Sequence, residues 1–221
     1  MLHRRTALAA AAAVMAAPRT HAQPLSPAQI ALFESAHLAG LSAPTSLEYG
    51  FRREEEGREP VEDTVRLEVR ASAETGRFDV IPEFLTGQRN LAYPPARGFR
   101  GNPVLLFALD RDARELAAAT GGTPHWFRER MRRAFLHAAA QREHEVELDG
   151  RSVAATSFEV VPFVGEPRAR RFQSRRYVFT LADAVPGRIH SLLSDTPAGE
   201  GGGAVTEVIA FRGARPLGAA P

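Results

Sequence analysis

Apolar and polar residues alternate strictly in three segments of the first half of the chain. Strict alternation gives a strand one covered face and one solvent-exposed face, which is typical of antiparallel sheets. We therefore predict three antiparallel strands in this part of the chain. Their apolar positions are Leu47, Tyr49 and Phe51, then Val65, Leu67 and Val69, then Phe78 and Val80.

The apolar spacing changes to three and four residues between about positions 102 and 139. Asn102-Pro103 begins one such segment and Gly121-Gly122 ends it, and these residue types are typical of a helix start and a helix end. Thr123-Pro124 begins a second segment of the same kind at once. The spacing predicts two helices that form an antiparallel hairpin. A shorter helix is predicted to begin at Ser26-Pro27.

Alternation returns after the predicted helical hairpin. Asp149-Gly150 is typical of a tight turn between two strands. The apolar positions then change parity near Thr156-Ser157, which predicts a β-bulge there. Residues 213–221 are predicted to form a flexible tail. Further strands are predicted over residues 172–181, 188–194 and 204–212.

Together these elements predict a single α+β domain over residues 23–221. Its curved, mostly antiparallel sheet is predicted to have about eight strands and to wrap the inserted two-helix hairpin like a half-barrel. A sheet with one apolar face must have that face covered, and the predicted helices are the elements that can cover it.

Residues 1–22 combine a short basic start, an apolar run from Ala7 to Ala17 and a small residue at Ala22. This pattern is typical of a secretory signal peptide that is cleaved after Ala22. The pair Arg4-Arg5 is typical of twin-arginine export signals, although arginine pairs are common by chance in a chain without lysine. Twin-arginine export and general secretion both stay open, and either route predicts a periplasmic or secreted protein.

Every one of the 28 basic residues is arginine, and the chain contains no cysteine. Disulfides, cysteine-ligated zinc, Schiff-base lysines and the lysine of a phosphate-binding loop are therefore excluded. Removal of residues 1–22 leaves 25 arginines and 26 acidic residues, a net charge of −1. A nearly neutral chain has no overall field that would attract nucleic acid. Its apolar runs are too short to span a bilayer, so no transmembrane segment is predicted.

Two groups of arginines are candidates for binding an anion, because a guanidinium group binds carboxylates and phosphates through paired hydrogen bonds. An anionic head group would be held where the two groups converge. The alternative is a solvated surface of ion pairs, such as Glu129 with Arg133. The candidate anion-binding residues are Arg128 and Arg132 in the second helix, and Arg168, Arg170, Arg171, Arg175 and Arg176 farther along the chain.

Two aromatic residues are candidates for lining a pocket. Tyr93 lies in the long segment 86–102, and Trp126, the single tryptophan, lies at the start of the second helix. Long segments without regular structure often act as lids over binding sites. Packing in the core is the alternative for both aromatic residues.

The first helix of the predicted hairpin contains three carboxylates that are candidates for general acid–base catalysis: Asp110, Asp112 and Glu115. Ion pairing is the favoured interpretation, because Arg114 follows Asp110 by four residues and Arg111 precedes Glu115 by four. His137 and His144 offer two metal ligands, whereas a metal site requires three or four. We therefore predict no catalytic set, no metal and no cofactor.

The order of the elements and the secretory signal resemble those of the half-barrel proteins that carry lipoproteins or transfer lipids in the periplasm. This architecture, the placement of the arginines and the lack of a recognisable catalytic set together predict a non-enzymatic binding or carrier protein for an amphiphilic or anionic ligand. Its partner is predicted to be a small amphiphile or a lipid. Two alternatives stay open: a hydrolase that uses His137 or His144 with carboxylates, and an envelope assembly or interaction module. A protein partner is left unassigned.

Overall fold

The computed structural model describes residues 24–137 and 139–218, and the predicted signal peptide at residues 1–22 lies outside them. Within the described residues the chain forms one antiparallel sheet of nine strands. The strands are β1 (Thr45–Glu55), β2 (Val61–Ala71), β3 (Phe78–Phe84), β4 (Ala96–Phe99), β5 (Ala140–Leu148), β6 (Arg151–Val160), β7 (Arg176–Leu181), β8 (Ile189–Thr196) and β9 (Val205–Pro216). Their order across the sheet is β4-β3-β2-β1-β9-β8-β7-β6-β5.

Three helical segments accompany the sheet. The first is α1 (Pro27–Gln29), which continues into a π-helical turn (Ile30–Glu34), and we call the two together the lead-in helix. The predicted hairpin consists of α2 (Val104–Thr120) and α3 (Pro124–His137). Short 3-10 segments lie at Gly87–Arg89 and Pro167–Ser174.

The start and end signals in the sequence take the expected roles. The Ser26 hydroxyl accepts a hydrogen bond from the Gln29 N–H at 3.2 Å, which caps the lead-in helix. The Asn102 side chain accepts one from the Val104 N–H at 3.2 Å at the start of α2. Gly121, with a φ of +72°, ends α2 in the left-handed conformation.

The structure confirms the predicted α+β class, with a curved antiparallel sheet that wraps the helical hairpin. It has nine strands, because β4 forms within the segment 86–102 that the sequence leaves without a strand. In β4, Phe99 pairs with Phe78 and Ala96 pairs with Val80. The helical hairpin therefore follows the fourth strand and not the third.

The core lies between the helices and the inward face of the sheet. In β1 and β2, each predicted apolar position is at most 3% exposed. In α3, Phe127, Met131 and Phe135 are buried against them. Burial of these side chains supplies the apolar free energy that holds the layers together.

The bulge predicted at Thr156-Ser157 is wrong, because β6 pairs residue by residue with β5 and with β7 across this region. The parity of the apolar positions changes because the two ends of β6 bury opposite faces. Phe158 packs in the main core, whereas Ala155 packs on the other face against Ala182 and Val185.

The last strand extends farther than the sequence predicts. β9 runs to Pro216, and residues 213–216 pair with Glu48 through Thr45 of β1. These residues belong to the range 213–221 that the pattern assigns to a flexible tail. Residues 219–221 lie outside the described part of the chain.

Gly187 lies in the loop between β7 and β8, and its backbone packs closely against two buried side chains. Its φ is +75°, and a Cβ atom there would lie 2.8 Å from Leu47 Cδ1 and 2.9 Å from Asn102 Nδ2. Gly187→Ala is therefore expected to lower the free energy of unfolding by about 2–3 kcal/mol, from backbone strain and overpacking together. Denaturant-induced unfolding measures this change.

Gly76 provides the matched control. Its φ is +74°, and a Cβ atom there would have no neighbour within 4 Å. Gly76→Ala is expected to cost only the backbone strain, about 1 kcal/mol. Equal losses for the two variants would contradict the role assigned to the Leu47 and Asn102 contacts.

Candidate functional site

An apolar groove of about 330 Å³ lies between the lead-in helix, α2 and α3. We call it the helix groove. Its α3 side consists of residues at positions i, i+3, i+4 and i+7, which share one helix face. The lining residues are Gln29, Phe33, Leu106, Leu109, Asp110, Arg128, Met131, Arg132 and Phe135.

The floor of the helix groove combines fixed aromatic residues with an exposed aliphatic one. Phe33 and Phe135 meet edge to face, with their ring centroids 5.1 Å apart. The Ser26 hydroxyl donates to the Phe135 carbonyl at 2.6 Å, which fixes the lead-in helix to α3. Leu106 is 45% exposed, so apolar surface is open to a ligand.

The rim of the helix groove carries more arginines than carboxylates. Arg128 and Arg114 both pair with Asp110. Arg132 and Arg133 both pair with Glu129, at 2.9 and 3.3 Å. Of these residues, Arg128, Arg132 and Asp110 line the helix groove, so its lining has one more guanidinium group than it has carboxylates.

A neighbouring cavity of about 430 Å³ shares the lining residues Phe33 and Leu106 with the helix groove. Arginine is again present, at Arg77, Arg97 and Arg100. The charged lining of this cavity consists of these three arginines and Glu34.

A separate set of charged residues is buried between α2 and the strands β7, β8 and β9. Arg175 donates to both carboxylate oxygens of Asp112, with Nη2–Oδ1 at 2.5 Å and Nε–Oδ2 at 3.1 Å. It also donates to Thr196 Oγ1 at 2.8 Å and lies 3.4 Å from Glu207 Oε2. The Tyr177 hydroxyl donates to Asp112 as well.

Two further arginines complete this set around Glu207. Arg111 donates to both of its carboxylate oxygens, at 3.1 and 3.0 Å, and Arg53 donates to Oε1 at 2.8 Å. Carboxylate oxygens of Asp112, Glu115 and Glu207 lie within 4.8 Å of one another, so three negative charges meet three guanidinium groups. The buried charge cluster consists of Arg53, Arg111, Asp112, Glu115, Arg175 and Glu207.

Glu207 is ionised at neutral pH. Burial alone would raise the pKa of Glu207, but the guanidinium groups of Arg111, Arg175 and Arg53 lower it to about 2. Because these groups hold α2 against β7, β8 and β9, they fix the helix that provides Leu109 and Asp110 to the helix groove. The buried charge cluster therefore fixes the position of one wall of the helix groove.

The two predicted arginine groups are not joined by a shared carboxylate in the described part of the chain. Arg128 and Arg132 line the helix groove. Arg175 is buried in the charge cluster, and Arg176 pairs with Asp195 at 3.3 Å and with Glu159 at 3.7 Å. The remaining candidates lie in or beside the 3-10 segment: Arg168 and Arg170 are exposed, and Arg171 donates to the Gly203 carbonyl at 3.2 Å.

The two candidate aromatic residues pack against the core at other places. Tyr93 stacks on Phe107 with centroids 4.6 Å apart, and its hydroxyl donates to the Phe107 carbonyl at 3.1 Å. Trp126 packs edge to face on Phe127 and stacks at 6.3 Å on Phe163. Phe33 and Phe135, which the sequence analysis does not single out as site residues, are the aromatic residues of the helix groove.

The histidines considered for hydrolysis lie apart from the helix groove. His144 Nε2 is 3.4 Å from Ser157 Oγ, and its Nδ1 is 3.4 Å from the Arg142 carbonyl. Ser157 Oγ is hydrogen bonded to Thr180 Oγ1 at 2.8 Å and is buried. His137 is the last residue of α3.

The sequence matches no protein-family model and no curated protein. Solved structures to which the chain is similar include the MucA/MucB complex of Pseudomonas aeruginosa, with a TM-score of 0.32 and 16% identity over 84% of this chain and 56% of that chain. The chain thus spans just over half of that protein. LprF from Mycobacterium bovis has a TM-score of 0.34 and 11% identity over 89% of this chain and 96% of that chain.

A third similar structure is a putative outer membrane lipoprotein-sorting protein domain from Vibrio parahaemolyticus. It has a TM-score of 0.25 and 8% identity over 80% of this chain and 87% of that chain. None of the helices in the described residues has the length and apolarity needed to cross a membrane.

Proposed function

We propose that this protein is a non-enzymatic periplasmic binding or carrier protein that holds an anionic amphiphile in the helix groove. The observation that supports this proposal is the apolar floor beside a rim with an excess of guanidinium groups. Residues 1–22, with the features of a secretory signal peptide, support the periplasmic location.

The apolar part of the ligand lies on Phe33, Leu106 and Phe135. The helix groove alone measures about 330 Å³, and the adjoining cavity adds about 430 Å³. Ligand sites of small molecules occupy about 300–1,000 Å³ and are mostly apolar with few polar groups. The space beside the lead-in helix fits a chain-like molecule of that class.

The anionic part of the ligand is held by Arg132 and Arg128. Arg132 is 71% exposed along its side chain and shares Glu129 with Arg133, so it can turn toward a ligand while Glu129 keeps a partner. A phosphate or carboxylate accepts two hydrogen bonds from one guanidinium group. A cationic amphiphile would meet the same positive rim and be repelled.

Titration calorimetry with dodecyl phosphate, below its micelle concentration, tests the proposal. Arg132→Glu is expected to weaken binding at least about tenfold, the loss that corresponds to one charge-assisted hydrogen bond. Leu106→Glu is expected to abolish binding, because it places a charge on the apolar floor at a position exposed enough to leave the fold intact.

Arg133→Glu is the matched control. Arg133 pairs with the same Glu129 but does not line the helix groove, so this variant changes the net charge equally and should bind dodecyl phosphate like the wild type. Equal losses for Arg132→Glu and Arg133→Glu, or full binding by Leu106→Glu, would count against the proposed site. Dodecyltrimethylammonium should not bind.

Native mass spectrometry of the protein purified gently from its host's envelope tests the same proposal without a chosen probe. The expected result is a removable excess mass of lipid size over the denatured mass. A ligand so identified with a cationic head group would overturn the proposed charge preference.

A further inference from the structure

The strand β5 carries a row of carboxylates without arginine partners. Of the 26 acidic residues, all of which lie in the described ranges, 18 have an arginine within 4.0 Å. Four of the remaining eight belong to β5 and the turn after it. They are Glu143, Glu145, Glu147 and Asp149, and we call the first three the β5 acidic row.

Strand geometry places the β5 acidic row on one face of the sheet. Its members pair with Thr156, Ala154 and Ser152 of β6, which share that face. Arg142 and Arg151, the arginines of the same hairpin, occupy positions of the opposite parity and therefore lie on the other face. The alternation of the sequence thus separates the three glutamates from the two arginines of this hairpin.

Neutral hydrogen bonds hold two of these carboxylates in place. Glu143 accepts from Gln141 Nε2 at 2.9 Å and from Thr156 Oγ1 at 2.8 Å. Glu145 accepts from Ser152 Oγ at 2.7 Å. These hydrogen bonds fix the positions of the two side chains and bring no positive charge beside them.

The outer edge of β5 is an end of the sheet. β5 pairs with β6 on one side, and no other described strand pairs with its outer side. The backbone N–H and C=O groups on that side have no strand partner among the described residues, so an added strand can pair with them.

A second apolar groove opens beside this edge, and we call it the edge groove. It measures about 620 Å³ and lies between the lead-in helix and β6. Its charged lining residues are Glu143 and the ion pair of Asp183 with Arg188. Ile30 lies in it and is 50% exposed. Its other apolar lining residues are Pro27, Ala31, Ala154, Ala155, Phe158, Leu181 and Ala182.

We propose that β5 and the edge groove form a docking surface for an extended, basic segment of a partner protein. The segment adds to the sheet as a tenth strand beside β5, with basic side chains against the β5 acidic row and an apolar side chain in the edge groove. Backbone pairing supplies affinity in this mode of recognition, and alternate side chains supply specificity. The surface is separate from the helix groove and needs no amphiphile.

A second copy of this chain does not suit the surface. Antiparallel pairing of two β5 strands about His144 would place Glu143 opposite Glu145 in both halves. Like charges directly opposite each other in a sheet are destabilising. The charge of the row therefore favours a basic partner over self-association.

A nine-residue peptide, as long as β5, in which arginine alternates with threonine tests this proposal on the mature protein. Fluorescence anisotropy at low salt measures its affinity, and amide hydrogen exchange locates it. Binding is expected to protect β5 amides and to weaken as salt screens the charges. A peptide with glutamate in place of arginine, and one with proline at its centre, should not bind.

Glu143→Arg/Glu147→Arg should weaken peptide binding at least about tenfold at low salt. Glu59→Arg/Glu200→Arg, which reverses two other exposed unpaired carboxylates, changes the net charge equally and should bind as the wild type does. No binding by the wild type up to about 1 mM, equal losses in both variants, or binding that leaves the β5 amides unprotected would each overturn the proposal.

Discussion

Replacing Arg175 by methionine is expected to lower the free energy of unfolding by about 3–5 kcal/mol. The side chain of Arg175 is 3% exposed. Its guanidinium group joins Asp112 of α2 to Thr196 of β8 and Glu207 of β9. Methionine fills a similar volume, so the loss comes from leaving Asp112 buried with the Tyr177 hydroxyl as its one remaining side-chain hydrogen-bond partner among the described residues. Denaturant-induced unfolding at neutral pH measures the change.

The neighbouring arginine is a close control for this variant. Arg176 is the first residue of β7, directly after Arg175; it pairs with Asp195 and Glu159, and its side chain is 42% exposed. Exposed ion pairs contribute about 0–1 kcal/mol, so Arg176→Met should fall within that range. Similar losses of stability for the two variants would show that the buried contacts of Arg175 with α2 contribute no more to stability than an exposed ion pair does.

Acid is expected to unfold the protein through Glu207. Its folded-state pKa of about 2 lies below the ordinary value of 4.5, so the charged form is stabilised by folding. Stability from this group is present above about pH 4.5 and is lost as the pH falls toward 2, with a total on the order of 3 kcal/mol. Unfolding measured at a series of pH values across this window tests the expectation.

Glu207→Gln separates this contribution from the rest of the acid response. Glutamine does not titrate, so the variant should be less stable at pH 6 but should lose less further stability between pH 4.5 and 2.5. Some pH dependence should remain, because hydrogen bonds from Thr86, Arg89 and Thr64 outweigh burial and lower the pKa of Asp63 to about 2. The same slope in variant and wild type would exclude Glu207 as the source.

Elements with long periodic patterns of apolar residues are predictable from the sequence, whereas the short strand β4 is not. The alternation in β1 and β2 and the helical spacing in α2 and α3 each extend over several residues and are set by one buried face. β4 has four residues, and its register with β3 is interrupted between Phe78 and Val80. A strand of that length has too few positions to show a period.

The site is predictable only where its residues lie on one helix. The ion pairs of Asp110 with Arg114 and of Arg111 with Glu115 are confirmed, because a spacing of four residues places both partners on the same helix face. The contact between Asp112 and Arg175 spans 63 positions, and no local pattern marks it. Among the arginines from 168 to 176, the sequence does not distinguish this buried residue from its solvent-exposed neighbours.

The central pairing of β1 with β9 has a consequence for how the chain reaches its fold. Strands β1 to β4 and β5 to β9 each form a meander whose neighbours are close in sequence, and the two meanders are joined in the sheet by β1 and β9 alone. Thr45 pairs with Pro216, so this joint closes nearly the whole described chain into one loop. Such long-range pairing is slow to form, and until β9 is in place both half-sheets expose an unpaired edge at what becomes the centre of the protein.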